Sequence, residues 1–217
     1  MKNKLWAGFI VGIMTLTMAG VASAIEIVNT GTPVNSTKNW GFDYYYANMA
    51  LGGQFTLDQG YTITDIEGYM KGSTGSLTAV IYDNLFWPPE FIVAHPGYLL
   101  FEQRVTPGST NAGWYGASGL DWHLDAGTYW AVFEIFYWNG NNFYGEMPNG
   151  APNDLTNEVF RDRNSQWTNN DLGLGIRLYG IPDNTVPIPE PETYAMLIVG
   201  LGLMSFIARC RKHKLAA

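Results

Sequence analysis

Cysteine is almost missing from this chain of 217 residues, which contains one, Cys210. Because that cysteine lies near the C-terminus, the body of the protein has no disulfide and must be held together by a hydrophobic core. Eight Trp, thirteen Tyr and eleven Phe can supply such a core, since aromatic side chains bury large apolar areas.

Positive charge is also scarce between the two ends of the chain. Residues 25–188 contain 17 acidic and 6 basic side chains, which gives this part a net charge near −11. A surface of this sign repels nucleic-acid phosphates and anionic lipid headgroups. We therefore expect no nucleic-acid partner and no electrostatic adhesion to a membrane surface.

The usual catalytic motifs are absent: the sequence has no Gly-x-Ser-x-Gly, no His-Glu-x-x-His and no phosphate loop. His123 lies between Asp121 and Asp125 and is a candidate general base or metal ligand. No second ligand is close to it, so an exposed histidine at a strand edge is the simpler interpretation, and His95, which precedes Pro96, is given no role. We expect a protein that is not an enzyme and binds no cofactor or metal.

Two alternatives stay open. The many acids of the central part could include a pair that hydrolyses glycosides, although nothing in the sequence singles one out. Asp83-Asn84 and Asn169-Asn170-Asp171 carry oxygen ligands of the kind that Ca²⁺ prefers, yet turn formation explains these residues equally well.

The N-terminus has the three parts of a secretory signal peptide. Lys2 and Lys4 form a positive region, residues 5–21 are apolar, and Ala22-Ser23-Ala24 is a small-residue cleavage site. We expect residues 1–24 to be removed, so that the mature chain begins at Ile25.

The C-terminus combines three features in a fixed order. Pro189-Glu190-Pro191 lies in a proline-rich linker, residues 183–192; an apolar segment, residues 193–208, follows; and the tail, residues 209–217, carries Arg209, Arg211, Lys212 and Lys214. A helix over residues 194–208 would be roughly 22 Å long, somewhat short of a hydrocarbon core of about 30 Å. The basic cluster would hold the tail in the cytoplasm and leave the preceding domain outside.

This order of Pro-Glu-Pro, short apolar helix and Arg-rich end resembles the PEP-CTERM sorting signal of exported proteins in Gram-negative bacteria, which exosortases recognise. The resemblance covers roughly residues 186–214. It implies an exosortase as partner, cleavage near the motif, and association with the cell surface or the exopolysaccharide matrix. The domain would first be held in the periplasm by a single-pass helix in the inner membrane.

Residues 25–182 are predicted to form one all-β domain, an antiparallel β-sandwich that is jelly-roll-like, because alternating segments follow one another without a helical period. Tyr61 to Met70 and Ser76 to Tyr82 are expected to form a hairpin or short meander. Gly127 to Trp138 is the predicted central strand, with Tyr129, Ala131, Phe133 and Ile135 on one face. Asp83 to Tyr98, Pro107 to Gly119 and Asn139 to Asn170 are predicted insertions, the last with a short strand at Thr156 to Phe160.

Three tryptophans lie at predicted loop edges: Trp87, Trp114 and Trp138. A flat ring with amides nearby can stack on a sugar, but such rings can equally belong to a core. We therefore expect a non-catalytic surface or matrix protein associated with exopolysaccharide or biofilm. A carbohydrate-binding module that uses these rings is the alternative, and a carbohydrate-active hydrolase is the more distant one.

Overall fold

The computed structural model describes residues 23–42, 49–72, 75–85, 94–135, 140–153, 155–162 and 166–183, together with residues 196, 198–201 and 204. Residues 23–185 belong to one compact unit. The signal-peptide residues before Ser23, including Ala22, lie outside the described residues, as do Pro189, Glu190, Pro191 and the basic residues of the tail. Ala24 and Ile25 are described and exposed.

The unit is built from β-strands. In chain order they are β1 (Ile25–Asn29), β2 (Asn35–Phe42), β3 (Met49–Leu57), β4 (Tyr61–Gly72), β5 (Leu77–Leu85), β6 (His95–Val105), β7 (Gly113–Leu124), β8 (Gly127–Ile135), β9 (Gly145–Asn149), β10 (Glu158–Arg161), β11 (Thr168–Asn169) and β12 (Ile176–Pro182). Every strand pair within the described residues is antiparallel. The prediction of an all-β antiparallel domain is confirmed.

The strands form two six-stranded sheets. Sheet I has the order β1-β12-β4-β9-β2, and β7 also pairs with β4. Sheet II has the order β11-β10-β3-β8-β5-β6. β8 lies between β3 and β5, so its predicted central position is confirmed.

One hydrophobic core joins the inner faces of the two sheets. Ala131, Phe133 and Ile135 of β8 enter it from sheet II, and Ile66 of β4 and Leu178 of β12 enter it from sheet I. Alternation with a period of two puts these side chains on one face of each strand. Burial of each large apolar side chain contributes about 1.5–3 kcal/mol, and this core holds a domain without disulfides together.

The predicted hairpin of Tyr61 to Met70 with Ser76 to Tyr82 is wrong. β4 belongs to sheet I and β5 to sheet II, and the hairpin partner of β5 is β6. Both strands present alternate apolar residues to the same core, one from each side. Alternation therefore identified the strands but carried no information on which sheet each one joins.

The predicted insertions are only partly loops. Within Pro107 to Gly119 the structure places the start of β7, and within Asn139 to Asn170 it places β9, β10 and β11. The expected short strand at Thr156 to Phe160 corresponds to β10, Glu158–Arg161. β7 and β9 contain glycine and β11 has only two residues, and both properties weaken the alternating pattern from which strands are predicted.

The described C-terminal residues are helical and exposed, for example Met196, Ile198 and Leu201. Within the part of the chain that the structure describes, no helix is long and apolar enough to cross a membrane. The membrane helix over residues 193–208 therefore stays a prediction.

Candidate functional site

Of the three tryptophans proposed for sugar stacking, Trp114 alone lies in the described part of the chain; Trp87 and Trp138 lie outside it. Trp114 is the second residue of β7 and is half-buried on the outer face of sheet I. Its indole ring packs edge-on against Tyr69 of β4, with 5.4 Å between ring centroids and 69° between ring planes. The cross-strand pairing of Tyr69 with Trp114 brings these two rings together.

Arg177 of β12 covers one face of Trp114, with its guanidinium carbon 3.8 Å from the centroid of the indole ring. The Arg177 Nε also donates a hydrogen bond to Asn29 Oδ1 at 3.3 Å. A guanidinium held over an aromatic face is a cation–π contact, which has to be displaced before anything else can stack there. In this arrangement, a sugar can stack on Trp114 only from the opposite face.

His123 lies on the same edge strand, β7, with its side chain more than half exposed. Its Nε2 is 3.6 Å from Asp125 Oδ1, and its Nδ1 is 3.6 Å from Asp183 Oδ1. Exposed pairs of this kind contribute roughly 0–1 kcal/mol to stability. Within the described residues no three His, Cys, Asp or Glu side chains are grouped closely enough to hold a metal ion.

The outer face of sheet II carries a buried ionisable group that the sequence did not single out, Glu134 of β8. This side chain is 1% exposed, and Tyr82 Oη donates a hydrogen bond to its Oε1 at 2.6 Å. Arg161 Nη2 lies 3.5 Å from the same oxygen, and the Arg161 guanidinium is 4.4 Å from the Trp167 ring centroid. We call Glu134, Tyr82, Arg161 and Trp167 the Glu134 cluster.

Burial raises the pKa of Glu134 to about 7, against the opposing effects of the Tyr82 hydrogen bond and the Arg161 charge. Desolvation likewise raises the pKa of Tyr82, and the neighbouring Glu134 raises it further. The Glu134 carboxyl is therefore enclosed by protein groups and is hardly exposed to solvent. The sequence feature that could have indicated this buried group is a single acid, Glu134, within a largely apolar strand.

Next to this cluster, an amide network ties the face of sheet II to the segment before β10. Gln54 Nε2 and Trp130 Nε1 each donate to Asn84 Oδ1 at 2.8 Å. Asn157 Nδ2 donates to Gln54 Oε1 at 2.6 Å. The network satisfies polar groups that would otherwise be costly to bury, and it fixes the orientation of the Asn157 side chain.

A cleft of ≈ 370 Å³ opens beside Asn157, between the start of β10 and the segment after β11. We call it the Asn157 cleft. Its lining residues are mostly polar: Leu155, Thr156, Asn157, Glu158, Asn169, Asn170 and Asp171.

The wall of the Asn157 cleft is anchored by Glu158, which is 4% exposed. Its carboxylate accepts hydrogen bonds from three successive backbone amides, those of Leu172 at 2.7 Å, Gly173 at 2.6 Å and Leu174 at 2.8 Å. Gly173 has φ of +60°, a left-handed conformation that glycine adopts without strain. In the sequence, Glu158 is an acid within the predicted strand Thr156 to Phe160, but its hydrogen-bond partners lie 14 to 16 residues further along the chain.

Comparisons with known proteins bear on the C-terminus. No curated protein and no solved structure gives a significant match to the chain. One family model matches, that of the PEP-CTERM protein-sorting motif, over residues 187–212. The match covers the same stretch whose Pro-Glu-Pro, apolar segment and basic end suggested the resemblance. The chain therefore carries a PEP-CTERM protein-sorting motif, the signal of an exported protein that an exosortase processes.

Proposed function

We propose that this chain is a non-catalytic surface or extracellular-matrix protein of a Gram-negative bacterium, whose β-domain contributes to an exopolysaccharide or biofilm layer. The observation that carries the proposal is the sorting motif at residues 187–212. In the sequence, this motif follows the all-β unit, which ends at Thr185. Both described buried acids, Glu134 and Glu158, are enclosed by protein groups, which favours a structural role for them.

The topology supports a jelly roll as the finer description of the fold. Four strands of sheet I follow the order β1-β12-β4-β7, and four strands of sheet II follow the order β3-β8-β5-β6. Successive strands of this set change sheet, except at the β5–β6 hairpin. Two four-stranded antiparallel sheets connected in this way form the double Greek key of jelly-roll domains.

The proposed route begins with a signal peptide, residues 1–24, and continues with a single-pass stage at the inner membrane. The helix over residues 193–208 would hold the β-domain in the periplasm, and Arg209, Arg211, Lys212 and Lys214 would keep the tail in the cytoplasm. Cleavage near Pro189, Glu190 and Pro191 would then release the domain to the surface or matrix. Protease treatment of intact spheroplasts should digest the domain together with a periplasmic control, and a protected domain would contradict this orientation.

Cleavage by the exosortase can be tested in the exporting bacterium. We expect Glu190→Ala to accumulate uncleaved in the inner membrane, because the carboxylate of the motif is lost, while the matched variant Glu192→Ala is still processed. Mass spectrometry of the surface-released wild type should find a C-terminus upstream of residue 193. Recovery of the wild-type surface form intact through Ala217 would refute exosortase processing.

A second candidate function is a carbohydrate-binding module, which the pairing of Trp114 with Tyr69 on the outer face of sheet I favours. Trp114→Ala should then abolish saturable binding of one glycan on an array, while an exposed tyrosine elsewhere, Tyr98→Ala, should leave it intact. The hydrolase alternative predicts release of sugars from native polysaccharide, abolished by one Asp or Glu substitution. A structural protein would show neither behaviour.

A further inference from the structure

The Asn157 cleft has a volume and a lining that together restrict what it can hold. Its ≈ 370 Å³ falls within the range of about 300–1,000 Å³ that is typical of small-molecule sites and far exceeds the space of one bare ion. Among the described lining residues, Leu155 is apolar and the six others carry polar side chains, so a ligand in the cleft can form hydrogen bonds.

The charge of the described lining residues disfavours a second class of ligands. Among them, the charged side chains are two acids, Glu158 and Asp171, and Asp171 is exposed. Phosphorylated or carboxylated ligands would therefore meet like charge at Asp171. An uncharged ligand rich in hydroxyl groups can hydrogen-bond to the polar side chains of this lining without that repulsion.

Two asparagines of the cleft, Asn157 and Asn169, are oriented in advance by hydrogen bonds. Asn157 Nδ2 donates to Gln54 Oε1 at 2.6 Å, and Asn169 Nδ2 donates to the Ala94 carbonyl at 3.4 Å. Each bond uses one of the two Nδ2 hydrogens, and the Oδ1 of an asparagine side chain is a hydrogen-bond acceptor. Hydroxyl groups are the donors that such amide oxygens take.

Backbone hydrogen bonds hold both walls of the cleft in place. On one side, the Gln54 amide donates to the Asn157 carbonyl at 2.8 Å, and on the other, the Asn170 amide donates to the Glu158 carbonyl at 3.0 Å. Walls that are fixed before binding reduce the entropy lost when a ligand is captured.

We propose that the Asn157 cleft binds a neutral polyhydroxylated ligand, of the chemical class of one monosaccharide unit in a glycan. The choice of ligand rests on the proposed association with polysaccharide, but the site differs from the tryptophans discussed above. Asn157, Asn169 and Asn170 supply the polar contacts, and Asp171 lies at the exposed rim.

The test uses the full chain, purified in a detergent without a sugar headgroup. Binding of glucose, galactose, mannose and N-acetylglucosamine is measured by saturation-transfer NMR, with glucuronate as the charged analogue. At least one neutral sugar should bind saturably, and glucuronate should bind at least fivefold more weakly than glucose. Absence of saturable binding of every neutral sugar, or equal binding of glucuronate, would overturn the proposal.

Variants separate a sugar site from a cation site. Asn157→Ala and Asn170→Ala should each weaken sugar binding about fivefold, the effect of one lost hydrogen bond, while the exposed matched control Asn111→Ala should not. Ca²⁺ binding is measured separately, by calorimetry with CaCl₂ alone. If Ca²⁺ binds tightly, Asp171→Asn abolishes that binding and no sugar binds, the cleft is a cation site and the proposal is wrong. Because processing at Glu190 is measured separately, a failure of the cleft is distinguishable from a failure of the proposed function.

Discussion

The buried carboxyl of Glu134 should make the stability of the domain depend on pH in a defined direction. Burial raises its pKa to about 7 in the folded protein, from 4.5 for the exposed group of the unfolded chain. The folded state therefore binds this proton more tightly, and its contribution to stability is fully present below pH 4.5. That contribution is lost as pH rises towards 7, by roughly 3 kcal/mol at about 1.4 kcal/mol per pKa unit.

Glu134→Gln isolates this effect, since Gln is close in shape and does not ionise. Urea unfolding followed by tryptophan fluorescence between pH 4 and 8 should show the variant gaining roughly 3 kcal/mol relative to the wild type as pH rises. Glu102→Gln is the matched control, because it removes an exposed acid on β6 whose charge also raises the pKa of Glu134. Most of the pH dependence should remain in that control. If the difference in unfolding free energy between the wild type and the Glu134→Gln variant stays constant within about 1 kcal/mol over the whole range, the reasoning is refuted.

Three further predictions concern the same domain. Glu158→Ala should lower the free energy of unfolding by about 3–6 kcal/mol, because three buried amides lose their acceptor, and Glu158→Gln should cost less; a loss under about 1 kcal/mol in urea unfolding would contradict this. Gly173→Ala should destabilise by about 1–2 kcal/mol through its left-handed backbone, whereas Gly108→Ala, where an added Cβ meets nothing within 4 Å, should be nearly neutral by thermal unfolding. A double-mutant cycle of Arg177→Ala with Trp114→Ala should give a coupling of about 0.5–1 kcal/mol, and a coupling of zero would argue against the cation–π contact.

The alternating pattern of the sequence was sufficient to predict β4, β5, β10 and the central position of β8. Tyr129, Ala131, Phe133 and Ile135 face the core because side chains on a strand alternate between its two faces, a property that local sequence carries. The assignment of strands to sheets was not predictable in the same way. β4 and β5 have the same kind of apolar face, and only their long-range partners place them in different sheets.

The polar groups that fix the Asn157 cleft and the Glu134 cluster were beyond local patterns as well. Sequence alone suggests that an acid is solvated, and Glu158 becomes a buried anchor only because the amides of residues 172–174 converge on it. The role of Trp114 in sugar stacking stays a prediction. The guanidinium over the Trp114 ring belongs to Arg177, which lies more than sixty residues further along the chain. No local sequence pattern could therefore predict this contact.

The position of β12 between β1 and β4 makes completion of sheet I depend on a strand near the end of the β-unit. Thr30 Oγ1 accepts a hydrogen bond from the amide of Ile176, which is 146 residues away, and β1 pairs with β12 along the neighbouring residues. β1 can therefore form its pairing in sheet I only when β12 is present. Contacts of such long range in the sequence form slowly. Sheet I of this topology can be completed only after β12 is available to pair with both β1 and β4.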